Sequence, residues 1–187
     1  MSFSRLIYLL LFFVVSWSCY YLYGQREAQS VQVAPNLELP MFSGESLNNI
    51  SYNSDGIRSH QISSSHLDHY AKSGDTVFEN PSLVIYRDGD TIEWKITARR
   101  AVLDEEQVLT LSDHVRMQNL LPGASFEMLS TDKLEIELSN RDFHADQQVL
   151  LIGPQFETTG EAMKGNLKTN TATLYNHVQG RYETLTP

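Results

Sequence analysis

The strongest constraint on this chain is the regular alternation of apolar and polar residues in several short segments. In residues 91–97, Ile92, Trp94 and Ile96 share one face of an extended chain, and polar residues occupy the other face. Residues 133–138 repeat the pattern, with two glutamates and a lysine on the polar face. Because successive side chains of a strand point to opposite faces, this period predicts half-buried antiparallel strands.

Turn-forming residues separate these segments at short intervals. Ser54-Asp55-Gly56 and Asp88-Gly89-Asp90 contain residues that tolerate a positive φ, and Pro122-Gly123 marks another break. Turns spaced about ten residues apart are typical of sandwiches, barrels and jelly-roll-like sheets. After Leu47 no window has the pattern of a long, capped amphipathic helix. The sequence therefore predicts a mainly β domain.

A weak internal repeat appears in residues 109–115, 150–156 and 172–178. We interpret each copy as a strand, a three-residue corner and an apolar return. The unequal spacing of the copies argues against a regular solenoid and favours a meandering sheet. Gly153, in the second copy, stands inside a strand pattern, which predicts a structural glycine at a bulge or at a close backbone approach.

The first part of the chain differs sharply from the rest. Residues 6–23 are 18 residues without a charge. As a helix they extend roughly 27 Å, close to the bilayer core of about 30 Å. Trp17 and three tyrosines near its end are typical of an interfacial aromatic belt, and Arg5 favours a cytoplasmic N-terminus. A cleaved or lipidated form is the alternative, although Ser16 and Trp17 fit poorly before Cys19 as a lipidation site.

The portion after Gly24 is acidic. It holds all 23 Asp and Glu residues and 13 of the 14 Lys and Arg residues, which gives 13 − 23 = −10. Such a balance argues against binding to nucleic acid and against attachment to anionic lipid by charge alone. This portion also lacks cysteine, so it holds neither a disulfide framework nor a thiolate metal site.

No pattern of catalytic or metal-binding residues stands out. His66 and His69 form the closest histidine pair, but residues three apart in a strand point to opposite faces. His114 and His177 occupy equivalent positions in the repeat, which explains them without catalysis. Neither a nucleophile elbow nor a phosphate-binding glycine loop occurs. We therefore predict no enzyme activity, no metal and no cofactor.

Several motifs, in order along the chain, resemble the LptC family of lipopolysaccharide-export proteins. The resemblance runs from about Leu47 to Glu183, and the apolar N-terminus also fits it. The motifs are Tyr52-Asn53-Ser54-Asp55-Gly56, Phe78-Glu79-Asn80-Pro81, Trp94, Leu109-Thr110-Leu111 with His114-Val115, Leu121-Pro122, Thr131-Asp132, Gly153 and Met163-Lys164-Gly165-Asn166-Leu167.

The resemblance implies a fold, a location and partners. It implies a single-pass inner-membrane protein with one N-terminal transmembrane helix. The periplasmic domain would be a twisted, boat-like antiparallel β-jelly-roll of the OstA-like type, open along one side. The protein would accept lipopolysaccharide from the ABC transporter LptBFG and pass it to periplasmic LptA for assembly in the outer membrane. A homodimer is a further state left open.

On this basis the chain divides into three parts. Residues 1–24 form the cytoplasmic tip and anchor. Residues 25–46 form a periplasmic tether and an irregular lead-in, with one edge strand near residues 31–39 as an alternative. Residues 47–187 form the lipid-binding jelly-roll.

The candidate groove residues come from two sources. The resemblance implies Phe78, Ala172 and Tyr182, and the alternation adds Trp94, Met128 and Ile136. An equally open alternative is that each is an ordinary core residue. For docking of LptA we expect the last strand, with Val178 and Tyr182, to offer a free edge to a strand of the partner.

Two rival functions remain. One is a lipid or lipoprotein chaperone that diffuses by itself, which cleavage of the N-terminus would favour. The other is an anchored envelope enzyme such as a hydrolase, which a loss of function on replacing histidines or acids would favour.

Overall fold

The alternating segments form strands that pair antiparallel throughout the described chain. The computed structural model describes Trp17, residues 39–124 and residues 126–182. The strands are β1 Phe42–Tyr52, β2 Arg58–His69, β3 Thr76–Glu79, β4 Ser82–Arg87, β5 Thr91–Thr97, β6 Arg100–Leu103, β7 Val108–Asn119, β8 Met128–Glu137, β9 Asp142–Ala145, β10 Val149–Gly153, β11 Phe156–Gly160, β12 Ala162–Asn166, β13 Thr171–Tyr175 and β14 Gln179–Tyr182.

The prediction of a membrane anchor falls on residues 1–24, and apart from Trp17 these lie outside the described residues. Within the described part of the chain, no helix has both the length and the apolar character needed to cross a bilayer. The alternative edge strand near residues 31–39 also falls almost entirely outside it. The first strand, β1, begins at Phe42, ahead of the predicted start at Leu47.

The sheet is folded into two halves because its long strands change partners midway. β2 pairs with β4 through residues 60–63 and with β3 through residues 66–69. β7 likewise pairs with β6 and then with β5, and β8 pairs with β10 and then with β9. We call β3, β6, β9, β12 and β13 half-sheet A, and β4, β5, β10, β11 and β14 half-sheet B.

Residues with positive φ mark the corner between the half-sheets. Asp113 and His114 have φ values of 65° and 58° at the register shift within β7, and Asn176 and His177 have 56° and 46° between β13 and β14. Asn80 does the same between β3 and β4, with φ 49°. Polar residues such as Asn, Asp and His adopt this conformation more readily than bulky apolar residues, so the corners select them.

The outer two copies of the sequence repeat are therefore corners as predicted, whereas the middle copy is not. In residues 150–156, Gly153 pairs directly with Phe156 across the Pro154-Gln155 turn, so β10 and β11 form a tight hairpin. The apolar pattern of a return strand is the same in a corner and in a hairpin. The sequence alone did not distinguish the two.

The predicted turns at Ser54-Asp55-Gly56 and Asp88-Gly89-Asp90 connect β1 to β2 and β4 to β5. Gly56 and Gly89 have φ values of 76° and 86°, which a residue with a Cβ rarely adopts. These turns and the turns at residues 138–141 and 167–170 lie at strand ends remote from the corner. We call these four turns the far margin.

One detail of β5 departs from the simple alternation. A register shift makes Tyr86 face Ile92 and Ile85 face Trp94, so Glu93 is an extra residue in β5. As a consequence Glu93 is buried and Ile92 is 41% exposed, instead of sharing the inner face with Trp94 and Ile96. A bulge changes which face each following residue occupies, and period-two reasoning does not detect it.

Candidate functional site

The inner face of half-sheet A carries a row of cross-strand partners that runs from one end of the sheet to the other. Each neighbouring pair faces across one strand boundary, and apolar side chains dominate the row. In order from β1 to β13 it comprises Phe42, His69, Thr76, Leu103, Leu109, Ile136, Phe143, Gly165 and Ala172. A folded sheet with such a row presents a mainly apolar surface to the space between its two half-sheets.

A second row lines half-sheet B opposite the first. It starts at Asn49 and continues through Ile62, Leu83, Ile96, Met117, Leu129, Leu151 and Thr158 to Gly180. Buried members of both rows belong to one hydrophobic cluster. The two half-sheets therefore enclose a single apolar interior.

The middle of this interior is filled by protein side chains. Trp94 and Ile136 have no exposed surface, and Phe126 stacks against Trp94 with ring centroids 5.4 Å apart. Phe78, on half-sheet A between Leu67 and Ala101, is also buried. An acyl chain reaches the Trp94 region only if the two half-sheets separate.

Hydrogen bonds across the far margin keep the half-sheets together there. The indole Nε1 of Trp94 donates to the carbonyl of Leu167 at 3.0 Å, and the Asn170 amide donates to the Glu93 carboxylate at 2.9 Å. Asn119 donates to Asn170 at 3.3 Å. We call these three bonds the margin latch, because each joins the turn after β12 to the β5 or β7 side.

The C-terminal end of the interior is open. Ala172 and Leu174 are half-buried and pack against the core, as does Phe156. The Tyr182 ring lies 6.3 Å from the Phe156 ring and is 75% exposed. We call Phe156, Ala172, Leu174 and Tyr182 the C-terminal ledge, since their apolar side chains lie on the inner face of the last strands.

The six candidate groove residues therefore separate into three environments. Phe78, Trp94 and Ile136 are in the closed interior, and Ala172 and Tyr182 are on the ledge. Met128 is different, because it neighbours Leu129, whose fully buried side chain faces Met117. Adjacent strand residues alternate faces, so Met128 lies on the outer face, apart from the other five.

Phe156 and Leu174 belong to the ledge but were not among the sequence candidates. Phe156 faces Tyr182 across β11 and β14, and Leu174 faces Met163 across β12 and β13. Both occur in the sequence repeat as apolar positions. The repeat marked them as apolar strand positions, but it held no sign that their region stays open.

The N-terminal end of the interior is more polar. Ser64 is buried, and its hydroxyl has no hydrogen-bond partner among the described residues. His60 is partly buried on the same inner face, where burial lowers the pKa of its imidazole and the nearby charge of Arg141 lowers it further. Ser51 and Asn49 of β1 face this region. The two ends of the interior thus differ in character.

The sheet ends in strands without a second partner. In the described part of the chain, β1 pairs with β2 alone, β13 with β12 alone, and β14 with β11 alone. Of the two residues predicted for a docking edge, Tyr182 ends the described part of β14 and Val178 lies in the corner before it, half exposed. Such edges carry free backbone N–H and C=O groups.

Two glycines are required by close approach of other atoms. A Cβ on Gly153 would overlap the Phe156 ring, and a Cβ on Gly165 would overlap both the Thr171 carbonyl and the Phe143 ring. The geometry at Gly153 is thus a close approach at the end of a strand. Gly165 is the central residue of the Met163–Leu167 motif, where the first row crosses from β9 to β13.

Charged groups of β1 and β2 pair on the outer face. His66 Nδ1 lies 3.0 Å from Glu45 Oε1 on β1, and its Nε2 lies 3.2 Å from Asp68. The hydrogen bond with Glu45 raises the pKa of the His66 imidazole. His69 faces Phe42 on the inner side, so His66 and His69 occupy opposite faces. No cluster of three metal-ligating side chains occurs in the part of the chain that the structure describes.

This arrangement defines a class of protein. An antiparallel sheet that folds over an apolar interior, with unpartnered strands at its ends, is a β-jelly-roll-like domain. The family comparison is more specific. The model of the LptC family, described as lipopolysaccharide-assembly, LptC-related, matches residues 8–183. The chain belongs to this family, and the resemblance seen in its motifs is confirmed.

Curated relatives agree over most of their length. The lipopolysaccharide export system protein LptC of Escherichia coli strain K12 is 28% identical over 154 residues, covering 82% of this chain and 81% of the relative. The protein of the same name from Haemophilus influenzae is 25% identical over 181 residues, covering 88% of this chain and 87% of the relative.

A solved structure supports the fold. The crystal structure of LptH from Pseudomonas aeruginosa, an LptA homologue, superposes with a TM-score of 0.54. The match covers 67% of this chain and 95% of LptH, at 9% sequence identity. At that sequence identity the structural similarity supports the fold alone. It confirms the predicted mainly β, jelly-roll-like architecture.

Proposed function

We propose that this chain is a lipopolysaccharide transport scaffold of the inner membrane. It accepts lipopolysaccharide from the LptBFG transporter and passes it to periplasmic LptA. The observation that carries the proposal is the pair of mainly apolar rows, whose cross-strand partners follow one another from β1 to the last strands. Family membership and the names of the relatives support the same role.

Acyl chains need a continuous apolar surface because exposing them to water costs a large free energy. Exposing one methylene to water costs about 0.8 kcal/mol, so several acyl chains cost on the order of tens of kcal/mol. A carrier has to cover the tails continuously and can leave the sugars in water. Apolar rows between two half-sheets, with His66, Glu45 and Lys164 on the outer faces, meet both conditions.

The direction of lipid transfer follows from the positions of the two ends of the sheet, β1 and β14. β1 is the first strand after the predicted anchor, so this end faces the transporter. The ledge lies beside β14, whose free edge accepts a strand of LptA by β-augmentation. Tyr182 belongs to both features, because its ring faces Phe156 while its backbone lies on the edge strand. Lipid therefore leaves this domain where the next sheet would begin.

The role is that of a scaffold and not of an enzyme. The sequence holds no phosphate-binding loop of the Gly-x4-Gly-Lys-Ser/Thr type, so energy for directed transport comes from the transporter. The predicted anchor in residues 1–24 holds the domain at the inner membrane with its C-terminal part in the periplasm.

Photo-crosslinking in growing cells tests the lipid path. A photoreactive residue replaces Tyr182 on the ledge, and Thr173 serves as the matched control because it faces Lys164 on the outer side of β13. We expect a lipopolysaccharide adduct at position 182 during active transport and none at position 173. Equal adducts at both positions, or none at position 182 while cells export lipopolysaccharide normally, would contradict the path.

A truncation tests the partner edge. A chain ending at Asn176 lacks β14, and a chain ending at Glu183 keeps it. We expect the longer chain to retain LptA in a pulldown and the shorter chain to lose it. Retention by both chains refutes docking through β14, and accumulation of lipopolysaccharide at the inner membrane on depletion still tests the transport function independently.

A further inference from the structure

Four cations line one surface depression on the far margin of an otherwise acidic protein. Arg58, Arg87, Arg141 and Lys168 come from four separate turns or strand ends and face the same recess. We call this the margin pocket. Asp88 and Glu93 also line it, so its formal charge is 4 − 2 = +2, while the whole chain carries −9.

The cations of the margin pocket are incompletely satisfied. The Arg58 guanidinium lies 4.9 Å above the Tyr86 ring, and its Nε is buried without a hydrogen-bond partner among the described residues. Arg141 donates through Nη2 to the Tyr86 carbonyl at 3.3 Å. Arg87 forms an ion pair with Glu93, whose side chain is only 3% exposed. A guanidinium has five N–H donors, so donors remain for an anion.

Contacts with Tyr86 position two of the guanidinium groups of the margin pocket. Arg58 lies against the Tyr86 ring, and Arg141 donates to the Tyr86 carbonyl, so both guanidinium groups are positioned by the same residue. The positive charge of Arg141 also reaches inward, where it contributes to the lowered pKa of His60 after burial itself. A preorganised pair of guanidinium groups is well suited to oxyanions because its planar fork matches their geometry.

The position of the pocket relates it to the apolar interior. Glu93 lines the pocket and also accepts the margin-latch bond from Asn170, so the pocket lies directly outside the latch. A lipid whose tails entered between the half-sheets at this margin would leave its headgroup beside the pocket. Phosphate on such a headgroup would meet the cations as the tails enter.

We propose that the margin pocket binds the phosphate groups on the headgroup of the transported lipid, with Arg58, Arg141 and Lys168 as the donors. This inference rests on the proposed function. It adds a polar contact that holds the headgroup at the far margin while the apolar rows hold the tails. Free inorganic phosphate has the same chemistry and is distinguished in the experiment.

The test uses the full chain in detergent micelles and two ligands: phosphorylated lipopolysaccharide and the same material after enzymatic removal of its phosphates. Arg141→Gln with Lys168→Gln removes two pocket cations. Lys95→Gln with Arg116→Gln is the matched control, because both residues are exposed on strands away from the pocket. The affinity of each variant is measured by fluorescence anisotropy, and thermal unfolding checks the fold.

We expect the pocket variant to bind phosphorylated lipid roughly tenfold more weakly than the wild type, as for two partly exposed charge-assisted contacts. Dephosphorylated lipid should bind both equally, and the control variant should match the wild type. Millimolar inorganic phosphate should compete with phosphorylated lipid on the wild type and lose this effect on the pocket variant.

Three results would overturn the inference. An equal loss of affinity for both ligands would assign the effect to the fold or to binding of the tails. No loss of affinity for either ligand would show that the pocket does not bind the phosphates. If inorganic phosphate competes but the variant does not change lipid affinity, the pocket binds free anions and not the lipid headgroup. If the wild type binds neither lipid, the proposed function fails first, which separates the two failures.

Discussion

The interior of the folded sheet is closed around Trp94 and open around Tyr182, although the same alternation of residues builds both regions. Trp94 is fully buried between the half-sheets and bonded to Leu167 across the far margin. Tyr182 lies on the last described strand, faces Phe156 and is three-quarters exposed. Both side chains lie on the inner face of half-sheet B.

The difference shows that the surrounding strands decide whether an inward-facing apolar residue is buried in the core or lies at a surface. Around Trp94, strands of both half-sheets and the turn after β12 contribute side chains, so the residue is core. Around Tyr182, β13 and β14 have no further strand beside them in the described chain, so the same type of residue forms a surface. The ledge is accessible from solvent in this structure, whereas the region around Trp94 is closed by the packed half-sheets and the margin latch.

The largest expected effect tests the closed region. Trp94→Ala should lower the free energy of unfolding by about 3–5 kcal/mol, because it removes a large buried side chain and leaves a cavity. Denaturant unfolding measures the change. Trp94→Phe keeps most of the volume and removes the bond to Leu167, so it should cost about 1–3 kcal/mol. A loss below about 1 kcal/mol for Trp94→Ala would show that the middle is not packed.

A smaller effect tests the first row where it reaches the ledge. Gly165→Val should lower the free energy of unfolding by about 1–3 kcal/mol, since its side chain would overlap the Thr171 carbonyl and the Phe143 ring. Gly44→Val is the control for side-chain space, because Gly44 has no positive φ and a Cβ there meets only the Leu67 side chain, at 3.4 Å. An unchanged stability for Gly165→Val would mean that β12 and β13 shift apart freely.

The open region should respond in function and hardly in stability. Tyr182→Ala should change the free energy of unfolding by no more than about 0.5 kcal/mol, as expected for an exposed side chain. Crosslinking of lipopolysaccharide at position 156 should nevertheless fall, because the lipid loses the apolar contact that the Tyr182 ring offers beside Phe156. A large loss of stability would place Tyr182 in the core instead.

The smallest effect concerns pH and the polar N-terminal end of the interior. The folded-state pKa of His60 is lowered by burial and by Arg141, so the unfolded chain binds the proton more readily. Stability from His60 is therefore present above its unfolded pKa of about 6.5 and is lost as the pH falls below it. His60→Gln should flatten the decline of unfolding free energy between about pH 7 and pH 5.

His66 provides the opposite sign for comparison. Its pKa is raised mainly by the hydrogen bond with Glu45, so its contribution is present below about pH 6.5 and is lost as the pH rises through the raised value. His66→Gln should therefore lower the free energy of unfolding below about pH 6.5. A pH profile in which both variants change in the same direction would contradict the inner and outer placement of the two histidines.

Much of the fold could be predicted because it depends on local chemistry. Strand β5 follows from its alternation, and the positive-φ turns at Gly56 and Gly89 follow from their residue types. The candidate site was harder. The alternation predicts Met128 as an inner residue, yet Leu129 is the residue that takes the inner face of β8.

The sequence by itself determined the β class, two of the corners and the family, because alternation, turn chemistry and ordered motifs are properties of neighbouring residues. Tertiary structure decided which inward residues are core and which form a ledge, and it brought Arg58, Arg141 and Lys168 to one recess. The physical reason is that exposure depends on strands and turns distant in the chain. No local pattern records where a sheet closes on itself or where it ends.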